Sequence, residues 1–244
     1  MSIELVREKR ETAFRIGDYL PEIEYGLAIS PAEQNEVFKL RYKAYLRAHS
    51  IDPDPSERFT DYYDRMENCH IFGVYADDEL LSSIRIHVIS KEHRKGVAVD
   101  VYPDILHPLI DQGNVIIDPT RFVCDQAAKR KYPELAFVTL RIPSMASLAF
   151  EADYCLATVR ESHRSFYEHI FEAKVLSEPR PYPGLRQRLC LMQVDIGKVR
   201  DQLMSHHSAY HTTVEDWRML FENARMAKQV GEVPPMQLQP ALVN

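Results

Sequence analysis

The sequence predicts a mixed α/β fold, and three observations carry the prediction. Strand-like and helix-like segments follow one another in the order β-α-β-β-β-α-β-α-β-β with a helical tail, which is not the regular winding of a parallel βαβ sheet. Of the 244 residues, 45% are hydrophobic and 27% charged, enough apolar chain for a substantial core and too much for a disordered one. Glycine occurs only 8 times, with neither G-x-G-x-x-G nor G-x-x-x-x-G-K present, so nucleotide binding of those kinds is not expected.

The expected organisation is an N-terminal arm over 1–20, a folded domain over 21–197 and a helical extension over 198–244. Residues 21–29 alternate well enough for a first strand. Ser30-Pro31-Ala32-Glu33 reads as a helix start: Ser as the cap, Pro in the first helical position and Glu in the third. The helix runs to about Ala48, with Val37, Leu40, Arg41, Ala44, Tyr45 and Ala48 on its inner face. After a polar loop with Pro53 and Pro55, strands 70–75 and 80–89 meet across an Asp77-Asp78 turn. In the second strand Ile84, Ile86 and Val88 share one face, and Ser83, Arg85 and His87 the other. Residues 91–114 read as irregular. A strand follows over 115–124, then a helical pattern from Pro133 to about 150, which Pro143 should kink or divide. Strand 153–159, helix 162–172 and strands near 174–177 and 188–196 complete the sheet. Residues 198–228 look helical, with Trp217, Leu220, Phe221 and Ala224 as a docking stripe, and 231–244 reads as a frayed end.

Composition narrows the function. Lys and Arg number 30 against 36 Asp and Glu, a net charge of −6, which argues against a general nucleic-acid binder. No apolar run is long enough to span a bilayer, and the first ten residues are charged where a secretory signal needs an apolar core. Cys69, Cys124, Cys155 and Cys190 are widely spread with no C-x-x-C pair, which predicts reduced thiols, no zinc site and a cytoplasmic location. The ten histidines contain no H-E-x-x-H, so no metal site is expected.

A few residues break the ordinary pattern. Arg41 falls in the apolar stripe of the first helix, where a guanidinium needs a paired anion unless it snorkels to water. Asp61 and Asp64, in Asp-Tyr-Tyr-Asp, are carboxylates placed to anchor arginines or a substrate ammonium, or else belong to a solvated loop. Arg85 sits mid-strand opposite the isoleucine face, a position equally ordinary for a solvent-facing side chain. In Ile117-Asp118-Pro119-Thr120-Arg121-Phe122, strict alternation puts Asp118 and Arg121 on opposite faces. A bulge at Pro119-Thr120 would turn both toward one cleft; an Asp-Pro turn between two short strands is the other reading. Tyr167 lies on the helix 162–172, where a buried Tyr is commonly a core residue with a bonded hydroxyl. Lys129-Arg130-Lys131 would meet phosphate or an acidic partner, if it is more than a solvated face.

Together these residues resemble a family. Phe38-Lys39-Leu40-Arg41-Tyr42-Lys43-Ala44-Tyr45 resembles the opening helix of acyl-homoserine lactone synthases and of the related N-acyl amino acid synthases. Asp61-Tyr62-Tyr63-Asp64 resembles their Asp-x-x-Asp, and Ser83-Ile84-Arg85-Ile86 their strand arginine. Asp118-Pro119-Thr120-Arg121-Phe122 looks like their acidic-x-Ser/Thr-Arg-Phe motif. Order and spacing agree across about residues 21–196.

The resemblance implies a GNAT-like fold: a mixed, mostly antiparallel sheet with one splayed parallel strand pair, helices on both faces and extra C-terminal helices. The splayed strands would be 115–124 and 153–159, with the pantetheine arm of an acyl donor in the gap. It implies an N-acyltransferase joining a long-chain fatty acyl group to the amino group of an amino acid. Asp118 would take the amine proton, and Tyr167 would protonate the leaving thiolate. Arg41, Asp61, Asp64, Arg85 and Arg121, with Tyr45, Thr120 and Phe122, would form or support a substrate-binding and loop-ordering network. The stretch Asp125-Gln126-Ala127-Ala128-Lys129 lacks the Gly-rich pyrophosphate loop of GNAT enzymes. That favours an acyl carrier protein, met by Lys129, Arg130 and Lys131, over coenzyme A, with a phosphopantetheine thioester as co-substrate and no bound cofactor. The rival readings are a lactone synthase using S-adenosylmethionine and a non-catalytic module that binds an acyl chain or carrier. Lactone synthases usually carry Glu where this chain has Asp118, and a Trp soon after the opening helix where this chain has none, so amide synthesis fits better.

Overall fold

The computed structural model describes residues 23–204 and 220–221. The expected arm over 1–20, Trp217 and most of the expected helical tail, and the segment 231–244 lie outside the described residues. The first strand, β1 (Glu24–Leu27), is shorter than the alternation predicts. It leads through Ser30 into α1 (Pro31–Arg47). The capping box is present: Ser30 Oγ accepts from the Glu33 N–H at 3.2 Å, and Glu33 Oε2 accepts from the Ser30 N–H at 2.8 Å. Val37, Phe38, Leu40, Arg41 and Tyr42 form the buried face of α1. Ala48, expected on that face, is instead the exposed C-cap, because the helix ends at Arg47.

A 3₁₀ turn, Tyr62–Arg65, precedes the hairpin of β2 (Cys69–Ala76) and β3 (Glu79–Ile89). Its two-residue turn places Asp77 at φ 50° and Asp78 at φ 60°, the left-handed pair that lets a tight hairpin follow the strand twist. Residues 91–114 are not irregular. They hold α2 (Val97–Val101) and α3 (Pro103–Asp111). Pro103 starts α3 with its φ already helical, and Leu106 and Ile110, four residues apart, are fully buried. The shortness of both helices and Pro108 inside α3 hide the helical period from a sequence reading.

The chain continues through β4 (Ile116–Cys124), α4 (Gln126–Lys131), α5 (Leu135–Ala149), β5 (Tyr154–Val159), α6 (Arg164–Phe171), β6 (Lys174–Pro181), β7 (Arg188–Asp195) and α7 (Ile196–Met204). The basic cluster therefore forms a short helix of its own. Pro143 does not divide α5, which is one helix from Leu135 to Ala149. Next to the proline, the Ser144 and Ser147 hydroxyls donate to the carbonyls of Leu140 and Pro143, at 3.3 and 2.8 Å.

The seven strands lie in the order β1-β2-β3-β4-β5-β7-β6. Every neighbouring pair is antiparallel except β4 and β5, which are parallel and pair only at Ile116↔Tyr154 and Ile117↔Cys155. Beyond Ile117 the two strands part. This is the expected mostly antiparallel sheet with one splayed parallel pair. One face, with Ile84, Ile86, Ile117, Ala157 and Met192, packs against α5, α6 and α7. The opposite face, with Ile89, Ile116, Leu156 and Leu191, packs against α2 and α3. The sheet thus separates two apolar layers. Phe221 docks on the first layer against Phe72 and Phe150, with ring centroids 5.3 and 5.2 Å apart.

Candidate active site

Four segments distant in sequence deliver charged groups to the α2–α3 side of β3 and β4. Arg41 comes from α1, fully buried, its Nη1 donating to Asp64 Oδ1 at 2.8 Å. Arg85 comes from β3, also fully buried. Its Nη1 reaches Asp61 Oδ1 at 2.5 Å and Asp64 Oδ1 at 3.0 Å, and its Nε donates to Thr120 Oγ1 at 2.9 Å. Arg121 of β4 donates to Asp61 Oδ2 from Nη2 at 2.6 Å and from Nε at 3.1 Å. The 3₁₀ turn is what presents both carboxylates: Asp61 caps it and Asp64 lies within it, its Oδ2 taking the Asp61 N–H at 3.0 Å. Neither Arg41 nor Arg85 snorkels.

The electrostatics follow from this packing. Burial works to raise the Asp64 carboxyl, but Arg41 and Arg85 hold it well below the ordinary carboxylate range; Arg85 and Arg121 do the same for Asp61. Aromatic rings complete the shell. Arg41 lies over Phe38 at 5.4 Å, Arg85 over Tyr63 at 5.8 Å and Arg121 over Phe59 at 4.8 Å. Tyr45 packs edge-on against Phe59 at 4.9 Å, and so joins the shell through that ring.

The bulge that turns Arg121 inward lies two residues later than Pro119-Thr120, at Arg121-Phe122. In the β3–β4 register, Arg85 faces Thr120 and Ser83 faces Val123, so Arg121 and Phe122 together oppose Ile84. Arg121 takes φ 54°, the left-handed backbone of an inserted bulge residue. The extra residue also returns Phe122 to the other face, where it packs in the α5 layer. Phe122 is therefore not part of the network. Pro119 sits inside a continuous strand, just past the last β4–β5 pair, where its missing donor breaks no established ladder.

Asp118 is two residues along from Ile116 on the same face, in register with His87 of β3. It is fully buried, no side chain hydrogen-bonds either carboxylate oxygen, and the Ala98 backbone N–H lies near enough to act on it. Burial raises its pKa to about 6, against the pull of Arg85, the Ala98 backbone N–H and Arg121. Gly96, at the start of α2, lies close by: a Cβ there would stand 3.6 Å from Asp118 Oδ2, an ordinary contact, and 3.1 Å from Ile89 Cδ1.

On the other side of the split runs an apolar cleft, partly open to solvent. Pro119 and Leu156, one on each diverging strand, both line it, together with Leu140, Ser147, Tyr167 and Phe171. Burial pushes the Tyr167 hydroxyl up to about 12, so it holds its proton at neutral pH. Lys129, Arg130 and Lys131 are exposed on α4, with Lys131 Nζ over the Tyr132 ring at 4.9 Å. At the head of α4 the Asp125 carboxylate accepts from the Ala127 and Ala128 N–H groups at 2.7 and 3.0 Å. Among the described residues no group of three or more His, Cys, Asp or Glu is placed to hold a metal ion, and no helix is long and apolar enough to cross a membrane.

Sequence reasoning thus located Arg41, Asp61, Asp64, Arg85, Thr120 and Arg121, which the structure brings together, and Asp118 beside them. It missed Tyr63, Tyr182 and the role of α2. Tyr63 donates to Asp100 Oδ2 at 2.7 Å and ties the carboxylate-bearing turn to α2. Tyr182 lies buried beyond β6, its ring 5.8 Å from the Arg121 guanidinium. His87 was readable as sharing a face with Arg85, but not as the register partner of Asp118.

A family model described as N-acyl amino acid synthase FeeM matches residues 36–195. No curated protein sequence matches the chain. Among solved structures, FeeM from uncultured soil microbes is similar at a TM-score of 0.62 and 14% identity, over 74% of this chain and 94% of that one. The coenzyme A-dependent acyl-homoserine lactone synthase BjaI, solved with MTA, gives 0.55 at 15% identity, over 76% and 89%. The acyl-homoserine lactone synthase LasI gives 0.55 at 15%, over 71% and 89%. At such identities the structures speak to the fold, which is shared and GNAT-like. The family match, covering well over half of the sequence, speaks to descent: this chain belongs to the FeeM family of N-acyl amino acid synthases and is an N-acyltransferase.

Proposed function

We propose that the protein joins a long-chain fatty acyl group, delivered as the phosphopantetheine thioester of an acyl carrier protein, to the amino group of an amino acid. The observation that carries this reading is Asp118: a buried carboxylate with no side-chain partner, at the place where β4 leaves β5 and the apolar cleft begins. An amine attacks only as the free base. A carboxylate with a pKa of about 6 is ionised at neutral pH and still basic enough to take a proton from a held ammonium. The nitrogen lone pair then forms the C–N bond. Backbone N–H groups where the strands part would stabilise the tetrahedral oxyanion. As the C–S bond breaks, the thiolate takes a proton from Tyr167, a residue that lines the cleft, and the second proton shed by the former amine as the amide forms returns to the Tyr167 oxygen.

Two features support a carrier protein over coenzyme A. The N–H groups at the head of α4, where a GNAT enzyme would hold a pyrophosphate, are already taken by Asp125. The exposed Lys129, Arg130 and Lys131 on the same helix offer a positive surface to an acidic carrier. The test is mass spectrometry of lipid extracts from cells expressing wild type and Asp118→Asn. Long-chain N-acyl amino acids present only with wild type are the expected outcome and identify the amino acid. Acyl lactones would replace this reading with lactone synthesis, and no acyl product from a folded, expressed protein would replace it with a binding role.

A further inference from the structure

Around Asp118 the α2–α3 side of the sheet gathers buried polar atoms whose bonding capacity the protein does not use. Three are donors: Arg85 Nη2, Arg121 Nη1 and the Tyr182 hydroxyl. Burial, with Asp118 nearby, keeps the Tyr182 hydroxyl protonated well above neutral pH, so it remains a donor. Three are acceptors that no side chain meets: both Asp118 oxygens, near the Ala98 backbone N–H, and His87 Nδ1. The tautomer of His87 follows from its other nitrogen. Nε2 lies 2.9 Å from the Tyr63 carbonyl, which only accepts, so Nε2 carries the hydrogen and Nδ1 a free lone pair. Burial, with the Arg85 charge, lowers the His87 pKa to about 4, so the ring stays neutral.

The set is compact. His87 and Asp118 are register partners, and Arg85 and Thr120 are the next same-face pair. Arg85 and Arg121 share Asp61. Tyr182 packs with Val97, next to the Ala98 N–H that acts on Asp118. Buried polar groups left unmade in this number are destabilising unless something fills them.

We propose that Tyr182 and His87 are two further acceptor-binding residues. The Tyr182 hydroxyl joins Arg85 Nη2 and Arg121 Nη1 in holding the α-carboxylate, and His87 Nδ1 joins Asp118 in holding the ammonium. This rests on the acyl-transfer reading above and adds to it the groups that read the acceptor. Charge balance favours the same answer. Arg41, Arg85 and Arg121 face Asp61, Asp64 and ionised Asp118, a neutral set. A zwitterion keeps it neutral, whereas an amine without a carboxylate adds a buried positive charge. When the ammonium proton passes to Asp118, the amino acid becomes an anion and the surplus guanidinium charge balances it.

The experiment offers purified enzyme an acyl-carrier thioester with each of the twenty common amino acids and, in parallel, each corresponding α-carboxamide. Wild type should prefer the best amino acid over its carboxamide by about 100-fold or more in kcat/KM, since the carboxamide leaves buried cations unpaired. Tyr182→Phe keeps the ring over Arg121. It should raise KM for the amino acid about 10-fold or more, leave KM for the acyl donor unchanged and narrow the discrimination against the carboxamide. His87→Gln keeps a donor to Tyr63 but has no acceptor at the Nδ1 position, its Oε1 standing at the end of the chain, and should raise the same KM. Acylation with equal use of acid and carboxamide, or Tyr182→Phe indistinguishable from wild type, would overturn the assignment while leaving acyl transfer intact. Failure of wild type to acylate any compound would remove the underlying reading instead, and this inference with it.

Discussion

Asp118 and Pro119 are neighbours in β4 that face opposite layers of the protein. The carboxylate stands in register with His87 beneath α2, and the pyrrolidine ring lines the apolar cleft with Tyr167. Acceptor and acyl donor would therefore approach from different sides of one sheet and meet where β4 and β5 part.

Replacing Asp118 by Asn should abolish most amide formation, by about 10²- to 10⁴-fold in kcat. Melting temperature at neutral pH should stay level or rise, because the substitution removes a buried charge with no side-chain partner. In wild type, kcat/KM should fall on the acid side with a midpoint near the Asp118 pKa of about 6, measured as a pH profile at saturating carrier thioester.

Two buried groups oppose one another in the pH dependence of stability. Asp118 has its pKa raised from 3.8 to about 6, so its stabilising contribution is complete below 3.8 and is lost as pH rises through about 6. His87 has its pKa lowered from 6.5 to about 4, so its contribution is complete above 6.5 and is lost as pH falls through about 4. Each is on the order of 3 kcal/mol. Wild-type urea stability should thus be nearly level across that interval. Asp118→Asn should lose about 3 kcal/mol on going from the upper to the lower end, while His87→Gln should gain. Below the ordinary carboxylate range both Asp61 and Asp64, held low by their arginines, become protonated and stability should drop in every variant.

Asp64→Asn leaves Arg41 buried with no anion of its own, and should destabilise by about 3–5 kcal/mol. Adding Arg41→Met to Asp64→Asn should restore part of that loss, a coupling readable in a double-mutant cycle from urea unfolding. Arg85→Lys should not substitute for wild type, because one ammonium cannot reach Thr120, Asp61 and Asp64 together.

Tyr167→Phe should lower kcat about 10²-fold with little change in either KM. A thioester whose thiol has a low pKa needs no proton on leaving, so the deficit should shrink with such a donor. A deficit independent of the leaving group would assign Tyr167 to packing.

Charge reversal of Lys129, Arg130 and Lys131 to Glu should raise KM for an acyl carrier protein about 10-fold, and raising salt should do the same to wild type. KM for a free acyl-pantetheine thioester should be unaffected by the substitutions. Equal effects on both donors would remove the carrier-docking role.

Arg41 stood out by itself as a charge in an apolar helical stripe, but Arg85, Asp61 and Asp64 each read equally well as solvated, and it was the resemblance of the motifs, in order and spacing, to a family that joined them to Asp118 and Arg121. What period and spacing do not carry is which carboxylate meets which arginine, since that depends on how the loop before β2 folds back over β3. The bulge was one of two open readings and was placed two residues too early, because a left-handed arginine has no sequence signature of the kind glycine provides. α2 and α3 are too short to show a helical period. Tyr182 lies in a hairpin connection whose burial is fixed only by packing on Val97 and Leu189.

The network draws on α1, the 3₁₀ turn, β3, β4 and, through the Pro183 carbonyl that accepts from Arg121 at 3.0 Å, the β6–β7 connection. All of these ties are long-range in sequence, and such contacts form late because loop closure must precede them. The apolar cleft, by contrast, is built largely from α5, β5 and α6, which are close together along the chain. A partly folded chain would then possess its fatty-acid groove before its acid–base machinery. Such an intermediate would sequester acyl chains without turning them over, so acyl-chain capture should appear earlier in refolding than amide synthesis.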